Sequence, residues 1–249
     1  MSRRLAVLLA ASLACAPAHA ATRLDTRLDT RPDANTPAGA RPELNDAYRS
    51  PAKLRKWRRS FEREGREVRD RKPAILADLP LKPGMAVADV GSGTGLYTLD
   101  LARAVGPDGP VYAVDIIPHF LRHVGKQAAR AGLANVTLVQ ASADALNLAP
   151  GSVDLVFLCD VYHHLERPAA TLAAIRAALR PGGALILIDL AREPGTSPKW
   201  ILDHVRADRS QVLAELAAAG FTLVADRTAA LGLRDNYLLH LRPDDPPGP

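Results

Sequence analysis

From Pro80 onward the chain alternates short apolar segments with amphipathic ones, and this alternation restricts the possible folds more than any other feature. Strands that alternate with helices are typical of a mostly parallel sheet that is covered by helices on both faces. The apolar run Ala184–Ile188 fits this interpretation, because a strand buried on both faces has no polar side to present. We therefore predict a doubly wound α/β fold.

The strand and helix boundaries can also be predicted from the apolar segments. The predicted strands are Met85–Val90, Val111–Ile117, Val136–Ala141, Val153–Asp160, Ala184–Leu190, Phe221–Arg227 and Asn236–Arg242. The predicted helices follow the first strand as far as Ala104 and then cover Pro118–Ala131, Pro168–Leu179 and Ser210–Ala219. We expect the last two strands to pair as an antiparallel hairpin, which gives a seven-stranded sheet.

The first residues have the pattern of a signal peptide. A short basic start, Ser2–Arg4, precedes an apolar stretch that is too short to span a bilayer comfortably, and Ala18–Ala20 supplies a small-x-small cleavage site. We expect cleavage after residue 20 and export to the periplasm or the medium, with no transmembrane segment left after leader removal. An uncleaved anchor and a lipoprotein attached at Cys15 are the alternatives.

The rest of the chain divides by composition. Residues 21–42 begin with a tandem repeat, TRLD-TRLD-TRPD, and are predicted to form a disordered linker. Residues 43–78 are basic with a helical pattern and are predicted to form a lid, in which Trp57 and Phe61 share a helix face. Residues 79–243 form the predicted main domain, and residues 244–249 form a tail.

The overall charge and the cysteine content exclude some functions. The chain has a formal net charge of +5, which is explained by an arginine-rich composition, so no nucleic-acid partner is expected. After leader removal Cys159 is the only cysteine, so neither an intramolecular disulfide nor a multi-thiolate metal site is possible. The sequence does not indicate the oligomeric state.

The segment Val87–Gly95 carries the strongest functional motif. A strand ends at Val90, and three glycines at alternate positions then let the backbone turn tightly and approach a ligand. The G-x-G-x-G spacing differs from the G-x-G-x-x-G of dinucleotide-binding enzymes. Asp89 stands two residues before the first glycine, where a carboxylate suits a ligand with an ammonium group better than a pyrophosphate.

Three further acids follow later strands of the predicted sheet. Asp115 lies at the C-terminal end of the second strand, where it can bind a ribose diol; Asp144 follows the third strand, and Asp160 lies at the end of the fourth. Ligands of open α/β sheets bind at this carboxyl edge. Each acid alone could be a helix cap or a turn residue, but four in the correct order indicate a nucleoside-type site.

These motifs resemble those of class I S-adenosylmethionine (SAM)-dependent methyltransferases, most closely the branch with the ubiquinone- and menaquinone-type enzymes. The resemblance covers Leu81–Arg242 and rests on the motifs DVGSGTG, VYAVDI, ASADALNL, VDLVFLCDVYHHL and LRPGGALILIDL. It implies a Rossmann-like methyltransferase fold, SAM as the cofactor and a reversed C-terminal hairpin. Most relatives act in the cytosol, where SAM is made, so the leader departs from the family pattern.

The resemblance also assigns roles to individual residues. It implies that Asp89 and the glycine turn line the methionine part of SAM, that Asp115 holds the ribose, that Ala143 and Asp144 frame the adenine, and that Cys159 and Asp160 border the transferred methyl group. The full predicted cofactor set is Asp89, Gly91, Ser92, Gly93, Thr94, Gly95, Asp115, Ile116, Ala143, Asp144, Cys159 and Asp160.

His163 and His164 are the candidate catalytic bases, because they follow Asp160 at the predicted pocket rim. One of them could instead cap the turn while the other packs. No metal site is predicted, since adjacent residues on a helix point apart.

The function predicted from the sequence is methyl transfer to a small-molecule or lipid-like acceptor. The acceptor pocket would be covered by the helix with Trp57 and Phe61 and by residues 192–206, which include Trp200 and His204. A catalytically inactive SAM-fold binding protein at the cell envelope is the alternative. The glycine spacing disfavours a third class, an NAD-dependent reductase.

Overall fold

The computed structural model describes residues 43–244, and the predicted signal peptide, the linker and residues 245–249 lie outside them. The described chain begins with four short helices: α1 (Glu43–Asp46), α2 (Leu54–Phe61), α3 (Glu67–Asp70) and α4 (Lys72–Asp78). The main domain continues with β1 (Val87–Val90), α5 (Thr98–Val105), β2 (Val111–Asp115), α6 (Pro118–Arg130), β3 (Val136–Gln140), β4 (Val153–Cys159), α7 (Pro168–Ala178), β5 (Leu179–Leu190), α8 (Lys199–His204), α9 (Arg209–Ala218), β6 (Phe221–Asp226) and β7 (Asn236–Pro243).

The seven strands form one sheet with the order β3-β2-β1-β4-β5-β7-β6. Strands β1 to β5 pair in parallel, whereas β7 is antiparallel to both β5 and β6. The predicted doubly wound α/β fold with an antiparallel C-terminal hairpin is therefore confirmed. The central strand β1 lies between β2 and β4, so their carboxyl ends meet at one edge of the sheet.

The central strands are buried on both faces, as their continuous apolar sequences predict. Alternate residues of β4 and β5 enter two different cores: Val156 and Leu187 belong to one, and Phe157 and Ile186 to the other. All four are completely buried. This two-sided burial requires helices on both faces of the sheet and explains why these strands have no alternating polar residues.

Strand β5 begins five residues before the predicted start at Ala184. Leu179 already pairs with Val153 of β4, and the register then shifts before Ala184 pairs with Leu155. The early start explains why α7 ends at Ala178. The sequence does not indicate this irregular pairing, because Pro181 and the two following glycines are typical of a turn.

The basic N-terminal segment is interrupted rather than forming one long helix. Pro51 begins a short 3₁₀ turn before α2, and Gly65 adopts a φ of +85° between α2 and α3. The later part of this segment is packed into the main domain, because Val68 and Ile75 are fully buried in the core of one sheet face. Within residues 43–244, no helix is long and apolar enough to cross a membrane.

Candidate active site

The turn after β1 forms one wall of a cavity at the carboxyl edge of the sheet. Gly91, Gly93 and Gly95 all have positive φ values, of +71°, +54° and +87°. A Cβ atom on Gly91 would lie 2.4 Å from Cγ2 of Val161, the second residue after β4. Glycine at this position therefore allows two neighbouring strand ends to approach each other closely, in addition to making the turn possible.

Asp115 holds this turn in place through two main-chain hydrogen bonds. Its carboxylate accepts from the backbone N–H of Gly93 at 2.7 Å and from that of Ile117 at 2.8 Å. Burial raises the pKa of Asp115 to about 6. Because each carboxylate oxygen has a second lone pair, the side chain can still accept hydrogen bonds from a diol in the cavity.

Asp89 is a second buried acid in the cavity wall. The hydroxyl of Thr98 donates a hydrogen bond of 2.6 Å to it, and burial raises its pKa to about 7. An ammonium group of a ligand in the cavity would stabilise the ionised form of this carboxylate.

The end of β4 joins the cavity to the N-terminal helices. Asp160, which has a positive φ of +54°, accepts hydrogen bonds from Arg66 at 2.5 Å and from the side-chain amide of Asn236 at 2.6 Å. Burial raises the pKa of Asp160, and Arg66 opposes this increase. Burial also raises the pKa of the adjacent Cys159 thiol, which keeps it protonated and apolar in character.

Aromatic side chains from two separate parts of the chain form the other end of the cavity. Tyr48 lies between α1 and α2, and its ring centroid is 5.9 Å from that of Phe61 and 6.1 Å from that of Phe120 on α6. Trp57 and Phe61 stack at 6.1 Å, so the prediction that they share a helix face is confirmed. This end of the cavity can hold an apolar or aromatic ligand.

The two predicted base candidates lie in different environments. His163 is buried, and its Nδ1 is 2.5 Å from Oδ1 of Asp189. Burial lowers the pKa of His163, but the carboxylate of Asp189 more than offsets this, so the pKa is raised overall. His164 lines the cavity, and burial together with the neighbouring His163 and His204 lowers its pKa to about 2.

The expectation that these two histidines point apart is wrong. They end a 3₁₀ turn, Tyr162–His164, and their ring centroids are only 4.2 Å apart. Tertiary contacts decide the ring directions, because Asp189 holds one ring while Nε2 of the other lies 3.4 Å from the Tyr48 hydroxyl.

The structure brings most of the predicted site residues to one cavity. The lining includes Asp89, Gly91, Ser92, Gly93, Thr94, Asp115, Ile116, Ala143, Cys159, Asp160 and His164. Gly95, Asp144 and His163 do not line it; Asp144 is instead exposed and paired with Arg167 at 2.7 Å. The roles predicted for the individual residues stay predictions.

Several lining residues were not predicted from the sequence, among them Asn45, Tyr48, Arg66 and Phe120. They are far from the glycine motif in the sequence, and no local pattern marks them as site residues. The aromatic pair Trp57 and Phe61 was the only indication that the N-terminal helices contribute to the cavity.

Comparison with known proteins agrees with this geometry. Residues 88–187 match a family model described as a methyltransferase domain. Over 113 residues the chain is 32% identical to the ubiquinone/menaquinone biosynthesis C-methyltransferase of Shewanella pealeana, a match that covers 45% of each protein. The corresponding protein of Pasteurella multocida is 32% identical over 114 residues, which are 45% of this chain and 42% of that relative.

Residues 88–187 are therefore a methyltransferase domain, and the chain is similar to members of the class I SAM-dependent methyltransferase superfamily. It spans less than half the length of these curated relatives. A solved SAM-dependent methyltransferase from Aquifex aeolicus has a TM-score of 0.64 and 25% identity, covering 77% of this chain and 97% of that protein. The [4+2]-cyclase SpnF matches with a TM-score of 0.66 and 18% identity, covering 85% and 99%; this likeness concerns the fold alone.

The residues of the cavity fit SAM, the cofactor of this superfamily. Among the described residues, the buried hydroxyls of Ser92 and Thr94 line the cavity and have no hydrogen-bond partner. Buried polar atoms without partners are rare in folded proteins, so these two are available to a ligand. Together with the carboxylates of Asp89 and Asp115, they supply the acceptors that an ammonium group and a ribose diol need.

Proposed function

We propose that this chain transfers a methyl group from SAM to a small-molecule or lipid-like acceptor with an apolar part. The main support is one cavity that combines two groups of residues. The glycine turn with its buried acids forms one end, the cofactor side, and the aromatic side chains of Tyr48, Phe61 and Phe120 form the other end, the acceptor side. The relatives described above are ubiquinone/menaquinone biosynthesis C-methyltransferases, which agrees with an apolar acceptor.

When bound, SAM supplies an electrophilic methyl group on a sulfonium; an acceptor nucleophile forms the new bond to carbon as the carbon–sulfur bond breaks. In this proposal the protein contributes chiefly by positioning both reactants. Asp89 and Asp115 orient the cofactor, while Tyr48 and Phe61 exclude water from the acceptor side. Arg66 fixes Asp160 beside the reacting region through their ion pair.

The two histidines are less suited to proton removal than their place in the sequence suggests. His164 lines the cavity, but with a pKa of about 2 it is a weak base. His163 has the stronger base character, yet it is buried against Asp189 and does not line the cavity. We therefore propose that the acceptor loses its proton to water or not at all, according to the attacked atom.

Isothermal titration with SAM, S-adenosylhomocysteine and NAD in parallel tests the cofactor. The first two should bind and raise the melting temperature, because a ligand that binds only the folded state stabilises it. Binding of NAD alone would overturn the proposal. Transfer of radiolabelled methyl groups from SAM to quinol analogues and to a lipid extract then separates an active enzyme from a binding protein.

We also propose that residues 1–20 are a cleaved export signal and that residues 21–42 connect it to the folded domain. The support is the sequence pattern of a basic start, an apolar stretch and a small-x-small site. N-terminal sequencing of protein from fractionated cells tests this. A mature start at Ala21 outside the cytosol is expected, whereas Met1 on cytosolic protein would overturn the proposal.

A further inference from the structure

Three histidines from two distant segments form a compact cluster beside the cavity. His163 and His164 come from the turn after β4, and His204 is the last residue of α8. The ring centroid of His204 lies 5.0 Å from that of His163 and 5.1 Å from that of His164. One ring nitrogen of each residue can be chosen so that all three lie within 4.8 Å of one another.

We propose that His163, His164 and His204 bind a divalent transition-metal ion of the zinc class. Imidazole nitrogen is a preferred ligand of zinc, and three histidines are a sufficient protein ligand set for a zinc ion with one open position. This proposal does not depend on methyl transfer, because metal binding can be measured without SAM.

The spacing of the nitrogens suits such an ion after a small adjustment. Three atoms that all lie within 4.8 Å of one another have a common point no farther than about 2.8 Å from each, compared with zinc–nitrogen bonds of about 2.0–2.1 Å. Each ring therefore has to move by less than about 1 Å, which small side-chain rotations can supply.

The hydrogen bonds of His163 leave one of its ring nitrogens for the ion. Nδ1 of His163 is engaged with Asp189, which leaves Nε2 as its ligand atom. Metal-binding histidines commonly donate their other ring N–H to a carboxylate, which fixes the ring and increases its basicity. Asp189 also accepts from the backbone N–H of His163 at 2.8 Å, so this carboxylate is itself held firmly.

His164 offers a second suitable nitrogen. Its Nε2 lies 3.4 Å from the Tyr48 hydroxyl, whereas its Nδ1 is buried and has no hydrogen-bond partner among the described residues. A metal ion would satisfy this atom.

The site would adjoin the acceptor side of the cavity, because His164 contributes to both. An ion with three protein ligands keeps a fourth position for water or an oxygen atom of a ligand. The cluster therefore gives this end of the cavity a place for an oxygen-bearing group beside its aromatic side chains.

The test uses the full chain purified without a histidine tag and stripped of metal by a chelator. Zinc is titrated by competition with a chromophoric chelator, and cobalt binding is followed by its visible absorption. We expect one ion per chain. Bound cobalt should show intense visible absorption, which indicates an ion with a low coordination number. His164→Gln and His204→Gln should each weaken zinc binding at least 100-fold, and Asp189→Asn should weaken it by about 10–100-fold.

His123→Gln is the matched control, because His123 is another half-buried histidine, located on α6 near Arg58 and Glu62. It should bind zinc like the unchanged chain. Melting temperatures of the metal-free variants separate loss of the ligand from loss of the fold. The proposal is overturned if the unchanged chain binds less than one ion, or if neither histidine variant weakens binding. Failure to bind SAM would overturn the proposed function and leave the metal site intact.

Discussion

The cofactor side and the acceptor side of the cavity are built in different ways. On the cofactor side, residues 89–115 supply the glycine turn and both buried acids; main-chain N–H groups bind Asp115, and the hydroxyl of Thr98 binds Asp89. On the acceptor side, side chains that are distant in sequence hold one another. Arg66 pairs with Asp160 across 94 residues, and Asn45 donates to the backbone oxygen of His164 across 119 residues.

This difference has a consequence for how each side tolerates change. The cofactor side depends on backbone conformation, so a single methyl group can disturb it. The acceptor side depends on polar side-chain pairs, so loss of one partner can be compensated by loss of the other. The predictions below test this contrast, from the largest expected effect to the smallest.

Gly91→Ala should lower the free energy of unfolding by about 2–4 kcal/mol. The positive φ costs about 1 kcal/mol for a residue with a Cβ, and the collision with Val161 costs about 1–3 kcal/mol more. Gly84→Ala is the matched control, since Gly84 has a φ of +83° but no atom near the added Cβ. Equal losses in the two variants, measured by urea unfolding, would show that the close approach of β1 and β4 has no energetic importance.

Asp115→Ala should weaken SAM binding by about 1.5–3 kcal/mol, the range for hydrogen bonds to a charged group. The structure also predicts an effect on folding. The variant leaves the N–H groups of Gly93 and Ile117 without their acceptor, so the melting temperature should also fall. Calorimetry and thermal unfolding measure the two effects separately, and unchanged affinity would remove Asp115 from the cofactor site.

Arg66→Met should lower the free energy of unfolding by about 1–3 kcal/mol, because it leaves the carboxylate of Asp160 largely buried without its cation. The double variant Arg66→Met/Asp160→Asn should recover part of this loss, since the uncompensated charge is gone. If the double variant is less stable than the single one, the acceptor side does not depend on mutual charge compensation.

The same contrast explains which parts of the molecule could be predicted from sequence. The fold and the cofactor side follow from local patterns: two-sided apolar strands, the glycine spacing, and acids at strand ends. The direction of the histidine rings and the contribution of Tyr48 and Phe120 depend on contacts between distant segments. No periodic pattern in the sequence indicates such contacts. The start of β5 at Leu179 was also not predicted, because it depends on pairing with Val153.

The buried acids of the cofactor side should make stability depend on pH. The pKa of Asp89 is raised to about 7 in the folded state, so the folded protein holds a proton that the unfolded chain releases above about pH 4. The free energy of unfolding should therefore fall as the pH rises from about 4 to about 7, by at most about 1.4 kcal/mol per pH unit for this group. Asp89→Asn should reduce this slope in urea unfolding experiments between pH 4 and 8. Because the pKa of Asp115 is raised to about 6, part of the slope should remain. Identical slopes for the unchanged chain and Asp89→Asn would contradict the raised pKa of Asp89.

Asp144→Ala should have the smallest effect, although the family resemblance places this residue beside the adenine. The side chain of Asp144 is 61% exposed and pairs with Arg167, and exposed ion pairs contribute only about 0.2–1 kcal/mol to stability. An adenine amino group would have to compete with Arg167 and with water for this carboxylate. We therefore expect SAM affinity to fall less than about fivefold, which corresponds to about 1 kcal/mol.

Arg167→Ala is the control, because it removes the competing cation and should leave affinity unchanged or slightly higher. A loss of more than tenfold for Asp144→Ala in calorimetry would show that Asp144 leaves Arg167 to bind the adenine.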